Sequence, residues 1–378
     1  MKSLNTTIRK EIKNLLLLFD YLIWWLFDPS KFKKIKKDEI KKVLIVHLGA
    51  IGEILVSTPI LPALKKELNC EISFMVKEGN QAIFKNNPYV SNVLTIKKGF
   101  KENVKLLKNE KFDMAIILLP ASTKISLMCF LAKIKYRIGC YEGIINGPPL
   151  FLTKRTFPIK NKNVVLKFLD IVKQIGIDNK IPKIEIYLSD NEKKDLKKAL
   201  AKFHTTNYVV IHPGFSSIMK HNYPSRLWPL ENYSKVIDYL IKKYKVKVFL
   251  TGSKDEKIIS DKIKQKVKNK KNVIISNGLF DLRELFALIS KSKLLISGGV
   301  AVHISAAFNI PTVALEGKSN VTEWHPWNPK NNYILLNHPE VCTGCEKEDC
   351  RRKNQECMKA ITVSEVVTAA DRLWKLNY

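Results

Sequence analysis

Acidic residues are scarce in this chain: 35 Asp and Glu stand against 65 Lys and Arg in 378 residues, a formal net charge of +30. An excess of that size points to anionic partners, whether nucleic acid, a phospholipid surface or a phosphorylated substrate. Other signals are missing. No RNA-recognition signature and no zinc-finger Cys/His spacing occurs, so nucleic-acid binding would rest on charge alone and is not expected. The longest apolar stretch, Leu15 to Phe27, has 13 residues and contains Asp20. A spanning helix needs ~20 apolar residues. Asp28 and Pro29 follow it where a signal peptide would end in small residues. No Walker A sequence is present, which disfavours phosphoryl transfer of the P-loop kind. The first half lacks a full G-x-G-x-x-G, which weakens a nicotinamide dehydrogenase reading. No two aspartates stand two apart, so a D-x-D metal site for a sugar nucleotide is absent. Any diphosphate leaving group would then be stabilised by cationic side chains and helix N-termini.

Residues 1–40 read as an in-plane amphipathic segment. Trp24 and Trp25 favour the headgroup level, and the basic run Lys31 to Lys37 favours anionic lipid. The competing reading is a helix packed on the protein itself. From Val43 the chain alternates strand and helix. Strands are expected at Val43–Val46, Glu71–Val76, near Val93–Ile96 and at Met114–Leu119. Helices are expected at Ile54–Leu68, Phe100–Asn109 and Lys124–Lys133. After the polar stretch Ser189–Lys202 the pattern restarts with a strand at Tyr208–Ile211. Helices Leu230–Lys243, Asp255–Val267, Leu282–Ser290 and His303–Phe308 then alternate with strands Lys247–Thr251, Val273–Ile275, Leu294–Ser297 and Thr312–Leu315. Thr362 opens a last helix with a capping box. Repeated βα units with wholly apolar strands imply parallel, doubly wound sheets. The expectation is an α/β protein of two Rossmann-like domains, residues 41–188 and 189–378, facing a central cleft.

Ligands of such sheets bind at the C-terminal ends of the strands, and the chemistry-bearing residues fall there. "VHLGAIGEILVSTP" places Gly49 and Gly52 at the first strand's end with one acid, Glu53, at the start of the helix. The second half offers glycine turns that attract anions: Gly214 with Ser216 and Ser217, Gly252 with Ser253, and Gly298 with Gly299. Lys220, Arg226 and Lys254 add positive charge. Together they read as a diphosphate site.

Four stretches carry a specific resemblance. "VLIVHLGAIGEILVSTPILPALKK", "VVIHPGFSS…RLWPLENY", "LFALISKSKLLISGGVAVHISAAFNIPTVALEG" and "CTGCEKEDC…CMKAITVSEV" look like glycosyltransferase family 9, the lipopolysaccharide heptosyltransferases. The resemblance runs from about Lys42 onward. It implies a GT-B fold, an N-terminal acceptor domain, a C-terminal nucleotide-sugar domain, and inverting transfer without a catalytic metal. It implies that Glu53 is the base that deprotonates the acceptor hydroxyl, in a place where the family usually has Asp. Arg226, two residues before Trp228-Pro229, is implied as a diphosphate clamp, with Lys220 as a competitor. Glu256 is implied as a nucleoside-hydroxyl acceptor and His303 as a diphosphate contact. His212 shapes its loop. The family pattern Asp-Ser/Thr-Gly-x-x-His reads here Gly298-Gly299-Val300-Ala301-Val302-His303, so the Asp is lost.

Seven cysteines occur. Cys70, Cys129 and Cys140 sit among apolar residues and read as buried thiols. Cys342, Cys345, Cys350 and Cys357 are compact enough for one tetrahedral S₄ site, zinc or iron, with free or paired thiols as the alternative. The resemblance adds that close relatives hold iron there structurally. The implied function is transfer of a heptose or related sugar from a nucleotide-diphosphate donor, ADP-heptose, to a lipopolysaccharide-core or other cell-surface saccharide. It would occur peripherally at the cytoplasmic face of the inner membrane. The alternative is a catalytically weak relative that binds a nucleotide or glycan.

Overall fold

The computed structural model describes residues 22, 26, 35–118, 122–140, 151–156, 159–178, 183–214, 226–317, 321–342, 350 and 352–377. Most of the N-terminal segment, together with Ser216, Ser217, Lys220 and Cys345, lies outside them. The chain divides into two compact units, Met1–Pro182 and Lys183–Tyr378, six residues before the boundary expected from the polar stretch.

In the first unit β1 (Lys42–Val46), β2 (Glu71–Val76), β3 (Asn92–Thr95), β4 (Met114–Ile117), β5 (Tyr136–Cys140) and β6 (Lys154–Thr156) form one sheet in the order β3-β2-β1-β4-β5-β6. In the second unit β7 (Tyr208–His212), β8 (Lys247–Leu250), β9 (Val273–Ile275), β10 (Leu295–Ser297), β11 (Thr312–Leu315) and β12 (Tyr333–Leu336) form another, in the order β12-β11-β10-β7-β8-β9. Every pairing is parallel. Counted from each unit's own first strand, the two orders are the same 3-2-1-4-5-6, the doubly wound arrangement of dinucleotide-binding folds. β4, β7 and β11 are buried throughout, as strands covered on both faces must be.

The helix expected over Ile54–Leu68 is instead three pieces: a helix Ile51–Leu55, a 3₁₀ turn Thr58–Ile60 and a helix Leu61–Leu68. Ser57 and Thr58 donate their hydroxyls back to the carbonyls of Ile54 and Leu55, each at 2.7 Å. Pro59 has no N–H to continue the ladder. The helix expected at His303 starts at Val300, which puts His303 inside it. The helix expected over Asp255–Val267 spans Lys257–Lys266, with Glu256 at its cap. β5, β6, β12 and the helix Val164–Lys173 were not foreseen.

The second unit is closed by the helix Val363–Asn377, whose Thr362–Glu365 capping box forms as expected. Asp371 accepts from Tyr239, Lys243 and Tyr244 of the helix Leu230–Tyr244, and Trp374 stacks on Tyr244 at 4.0 Å. Buried Trp228 donates to the Ile361 carbonyl at 2.8 Å, tying the end of the loop after β7 to the same region. Cys70, Cys129 and Cys140 are buried, as the apolar residues around them in the sequence imply. Burial pushes the Cys129 thiol up to about 12, which keeps it inert at neutral pH.

Candidate functional site

In the first unit the site is the loop after β1. His47 continues the strand, donating its N–H to Met75, and its Nδ1 accepts the Gly49 N–H at 3.2 Å. The ring is fully buried and packs edge-on against Phe168. Burial lowers its pKa to about 3, so the imidazole is neutral, and Nε2 has no hydrogen-bond partner. Glu53 lies in the first turn of the helix Ile51–Leu55, where a carboxylate complements the helix dipole. Its Oε2 accepts the Ala50 N–H at 2.7 Å, and Oε1 forms no hydrogen bond among the described residues. A Cβ on Gly49 would come within 2.1 Å of Glu53 Oε2 and 2.8 Å of the His47 ring. Glycine is therefore what lets carboxylate and imidazole close on the same turn. Gly52 sits in that turn, its carbonyl bonded to the Val56 N–H.

In the second unit three strand ends contribute. After β7 the chain passes through buried Gly214. Arg226, at the far side of that loop, is exposed and makes no hydrogen bond or ion pair among the described residues, while Trp228 two positions on is wholly buried. The anchored tryptophan fixes the backbone from which the guanidinium projects. After β8, Glu256 reaches back so that its Oε2 accepts the Ser253 N–H at 2.7 Å and the Ser253 hydroxyl at 2.9 Å. Its Oε1 is buried without a partner. A Cβ on Gly214 would lie 2.2 Å from that Oε1. A Cβ on Gly252 would lie 2.5 Å from Asn277 Nδ2 and 2.9 Å from Glu256 Oε2. His212 is buried, with Nδ1 3.0 Å from the Thr251 hydroxyl. Burial lowers its pKa, although the Glu256 charge pulls the other way.

After β10, Ser297 donates its hydroxyl to the His212 carbonyl at 2.9 Å, joining two of the loops. Gly299 has φ of +69°, a conformation that favours glycine. A Cβ on Gly298 would come within 2.6 Å of the Leu315 carbonyl oxygen. No side chain fits at 298 unless the backbone of β11 moves, which gives the lost Asp a physical reason. A carboxylate reaches the turn from elsewhere: Glu316, just past β11, accepts the Gly299 N–H at 3.2 Å. That N–H, expected to face phosphate, is thus held within the protein. His303 is buried with Nδ1 unpartnered. Burial, reinforced by nearby His325, lowers its pKa to about 4, so it offers a hydrogen bond and not a charge.

Cys342, Cys350 and Cys357 are buried near the start of the closing helix. Burial alone would raise the Cys350 pKa, but backbone N–H groups of Gln355, Asn354, Arg352 and Lys353 outweigh it and lower the thiol. The Gln355 N–H lies 3.3 Å from Sγ, and Lys353 and Gln355 have positive φ, wrapping the loop around the sulfur. This environment suits a thiolate ligand. Among the described residues, which omit Cys345, no group of three metal-binding side chains assembles.

Glu53, Gly49 and Gly52 thus belong to the first unit. Gly214, Arg226, Gly252, Glu256, Gly298, Gly299 and His303 belong to the second, where Gly214, Gly252 and Glu256 meet directly. His47, Asn277 and Glu316 went unnoticed in the sequence. Each is a polar residue next to, or two positions from, a glycine just past an apolar strand, and that was the available signal.

Two Rossmann-order units with glycine turns and carboxylates at their strand ends define the class, a GT-B-type glycosyltransferase. The family model for glycosyltransferase family 9 (heptosyltransferase) matches residues 102–355, and the chain belongs to that family. It is 25% identical over 342 residues to lipopolysaccharide heptosyltransferase 3 of Escherichia coli, covering 85% of this chain and 96% of that protein. In fold it is similar to a family 9 glycosyltransferase from Veillonella parvula, with a TM-score of 0.78 at 19% identity, covering 91% and 99% of the two chains. It is also similar to E. coli ADP-heptose heptosyltransferase II, with a TM-score of 0.70 at 18% identity, covering 89% and 99%. The iron-containing dodecameric glycosyltransferase TibC of enterotoxigenic E. coli matches with a TM-score of 0.55 at 14% identity, covering 90% and 78%.

Proposed function

We propose that this glycosyltransferase moves a heptose or closely related sugar from ADP-heptose to a lipopolysaccharide-core or other cell-surface saccharide, with inversion and without a catalytic metal. The first unit takes the acceptor and the second takes the donor. The observation that carries the reading is Glu53, with Oε2 fixed by the Ala50 N–H and Oε1 left for a substrate. Glu53 accepts the acceptor hydroxyl proton. The freed oxygen attacks the anomeric carbon, and the bond to the nucleoside diphosphate breaks with its electron pair leaving on phosphate. One displacement inverts the carbon. A general base of this kind contributes ~100-fold or more.

Because Glu316 holds the Gly299 N–H, the departing charge falls mainly to Arg226, whose guanidinium binds phosphate oxygens bidentately, and to the loops at Gly214 and Gly252. Neutral His303 adds a hydrogen bond. Glu256 acts on the nucleoside through the Ser253 turn that its Oε2 holds. Cys342, Cys345, Cys350 and Cys357 hold one structural iron or zinc, which metal analysis of the purified protein tests directly. The four-Cys loop has no part in the chemistry. The relatives' lipopolysaccharide substrates and the lysine-flanked N-terminal segment support a peripheral place at the cytoplasmic face of the inner membrane. Among the described residues no helix is long and apolar enough to cross a membrane.

The test is donor hydrolysis and transfer by the wild type and by Glu53→Gln. A loss of less than about a hundredfold in the variant removes Glu53 as the base. The second reading, a weak relative that only binds, draws on the side-chain-free Gly298. Nucleotide binding without any turnover by the wild type would establish it.

A further inference from the structure

The helix Thr123–Leu131, TKISLMCFL, carries a single charged residue. Its inner side, Ile125, Met128 and Cys129, is part of the first unit's core. Its outer side is also apolar. Leu127 is half-buried, Phe130 is 45% exposed and Leu131 is 46% exposed, at the i, i+3, i+4 spacing of one helix face. The half-buried Phe151 ring lies 5.2 Å from Phe130 and widens this surface. Helices apolar all round are normally enclosed.

The stripe is held in place. Buried Arg137 sets its guanidinium 5.3 Å from the Phe130 ring centre. The same guanidinium donates to the carbonyls of Ile134, Lys135 and Phe151. Exposed lysines flank the stripe along the chain: Lys124 within the helix, and Lys133 and Lys135 just after it. Glu39 is the acid close by, shared between Lys135 at 2.6 Å and Lys36 at 2.9 Å. Lys36, in the basic run, lies at this same corner, where its N–H meets the Tyr136 hydroxyl at 3.5 Å. In the sequence the apolar stretch Leu15–Phe27 leads into this corner through the basic run that ends at Lys37.

We propose that Leu127, Phe130, Leu131 and Phe151 form a second membrane-docking surface, seated on an anionic phospholipid leaflet next to the N-terminal segment. Aromatic and aliphatic side chains enter the headgroup boundary, while lysine stems cover apolar surface and keep their charge on anionic lipid. Two weak contacts tethered side by side reinforce each other through effective concentration. The inference extends the peripheral placement proposed above. Vesicle binding requires no sugar transfer, so either idea can fail without the other.

The test is co-sedimentation of the full chain with vesicles of phosphatidylcholine alone and with about one-third phosphatidylglycerol. Phe130→Ser combined with Leu131→Ser is expected to cut binding to the anionic vesicles about tenfold, with donor hydrolysis unchanged and only a small drop in melting temperature from the lost Phe130 ring contacts. Lys133→Glu is expected to weaken binding to anionic vesicles and leave neutral ones unaffected. Leu279→Ser, on a still more exposed apolar side chain of the second unit, is expected to change nothing. The proposal is overturned if the double serine variant binds like the wild type, or if Leu279→Ser loses as much.

Discussion

The loop after β1 and the loop after β8 solve one local problem in the same way. Each has a glycine, a small residue, and a glutamate four positions after the glycine: Gly49-Ala50-x-x-Glu53 and Gly252-Ser253-x-x-Glu256. In each the glutamate Oε2 accepts the N–H of the small residue at 2.7 Å, and the glycine leaves room for that carboxylate. A buried histidine held neutral by burial stands near both, His47 in one unit and His212 in the other. The difference is the second oxygen. Glu53 is half-buried, whereas Glu256 Oε1 is sealed beneath Gly214. Under the proposed mechanism the same cap serves a carboxylate that exchanges a proton and one that fixes its own loop. Local motif alone does not separate the two; burial does.

The comparison is broken most directly by exchanging the two acids for amides. Glu53→Gln keeps an oxygen for the Ala50 N–H, so folding should survive while kcat falls at least about a hundredfold. If Glu256→Gln lowers kcat as much, the two loops are not functionally distinct.

Next in size is Gly298→Asp, which restores the acid usual in the family. With the Leu315 carbonyl 2.6 Å from the new Cβ, it should cost about 2 kcal/mol in denaturant unfolding and fail to raise activity. An active and stable variant would mean that the end of β11 yields easily.

The histidines give a pH dependence. His47 has a folded pKa of about 3, below its unfolded value of ~6.5. The unfolded chain therefore takes up the proton first. Stability from the neutral ring is complete above ~6.5 and is lost as pH falls toward 3. Between pH 7 and pH 5 this amounts to about 2 kcal/mol. His47→Gln should flatten that part of the stability curve, and an unchanged slope would contradict the assignment.

The smallest effect expected is that of Glu256→Gln on nucleotide affinity, about a tenfold rise in donor KM with kcat little changed. It would show that the sealed carboxylate serves binding.

Much of this was legible in the sequence. Wholly apolar strands such as β4 and β7 announce themselves, and glycines past strand ends such as Gly49 and Gly214 mark the candidate site. β5 (YRIGC) and β6 (KRT) do not. In β5 the charge of Arg137 is met by the carbonyls of Ile134, Lys135 and Phe151, and a strand of that kind has no local signature. The break at Ser57 depended on two hydroxyls bonding backwards, which a periodic apolar pattern hides. The empty place at Gly298 is set by a carbonyl from β11, and Glu316 reaches the same turn from another strand. Neither is visible until the sheet is assembled.

The knot around Asp371 also bears on how the chain is made. Tyr239, Lys243 and Tyr244 wait for a partner more than a hundred residues downstream, as Trp228 waits for Ile361. During synthesis the first sheet can close around β1 long before the second has its last helix. The ribosome therefore exposes a finished first unit and an unfinished second one whose apolar helix face stays uncovered until Leu373 emerges. In that interval the second unit is the aggregation-prone part of the molecule.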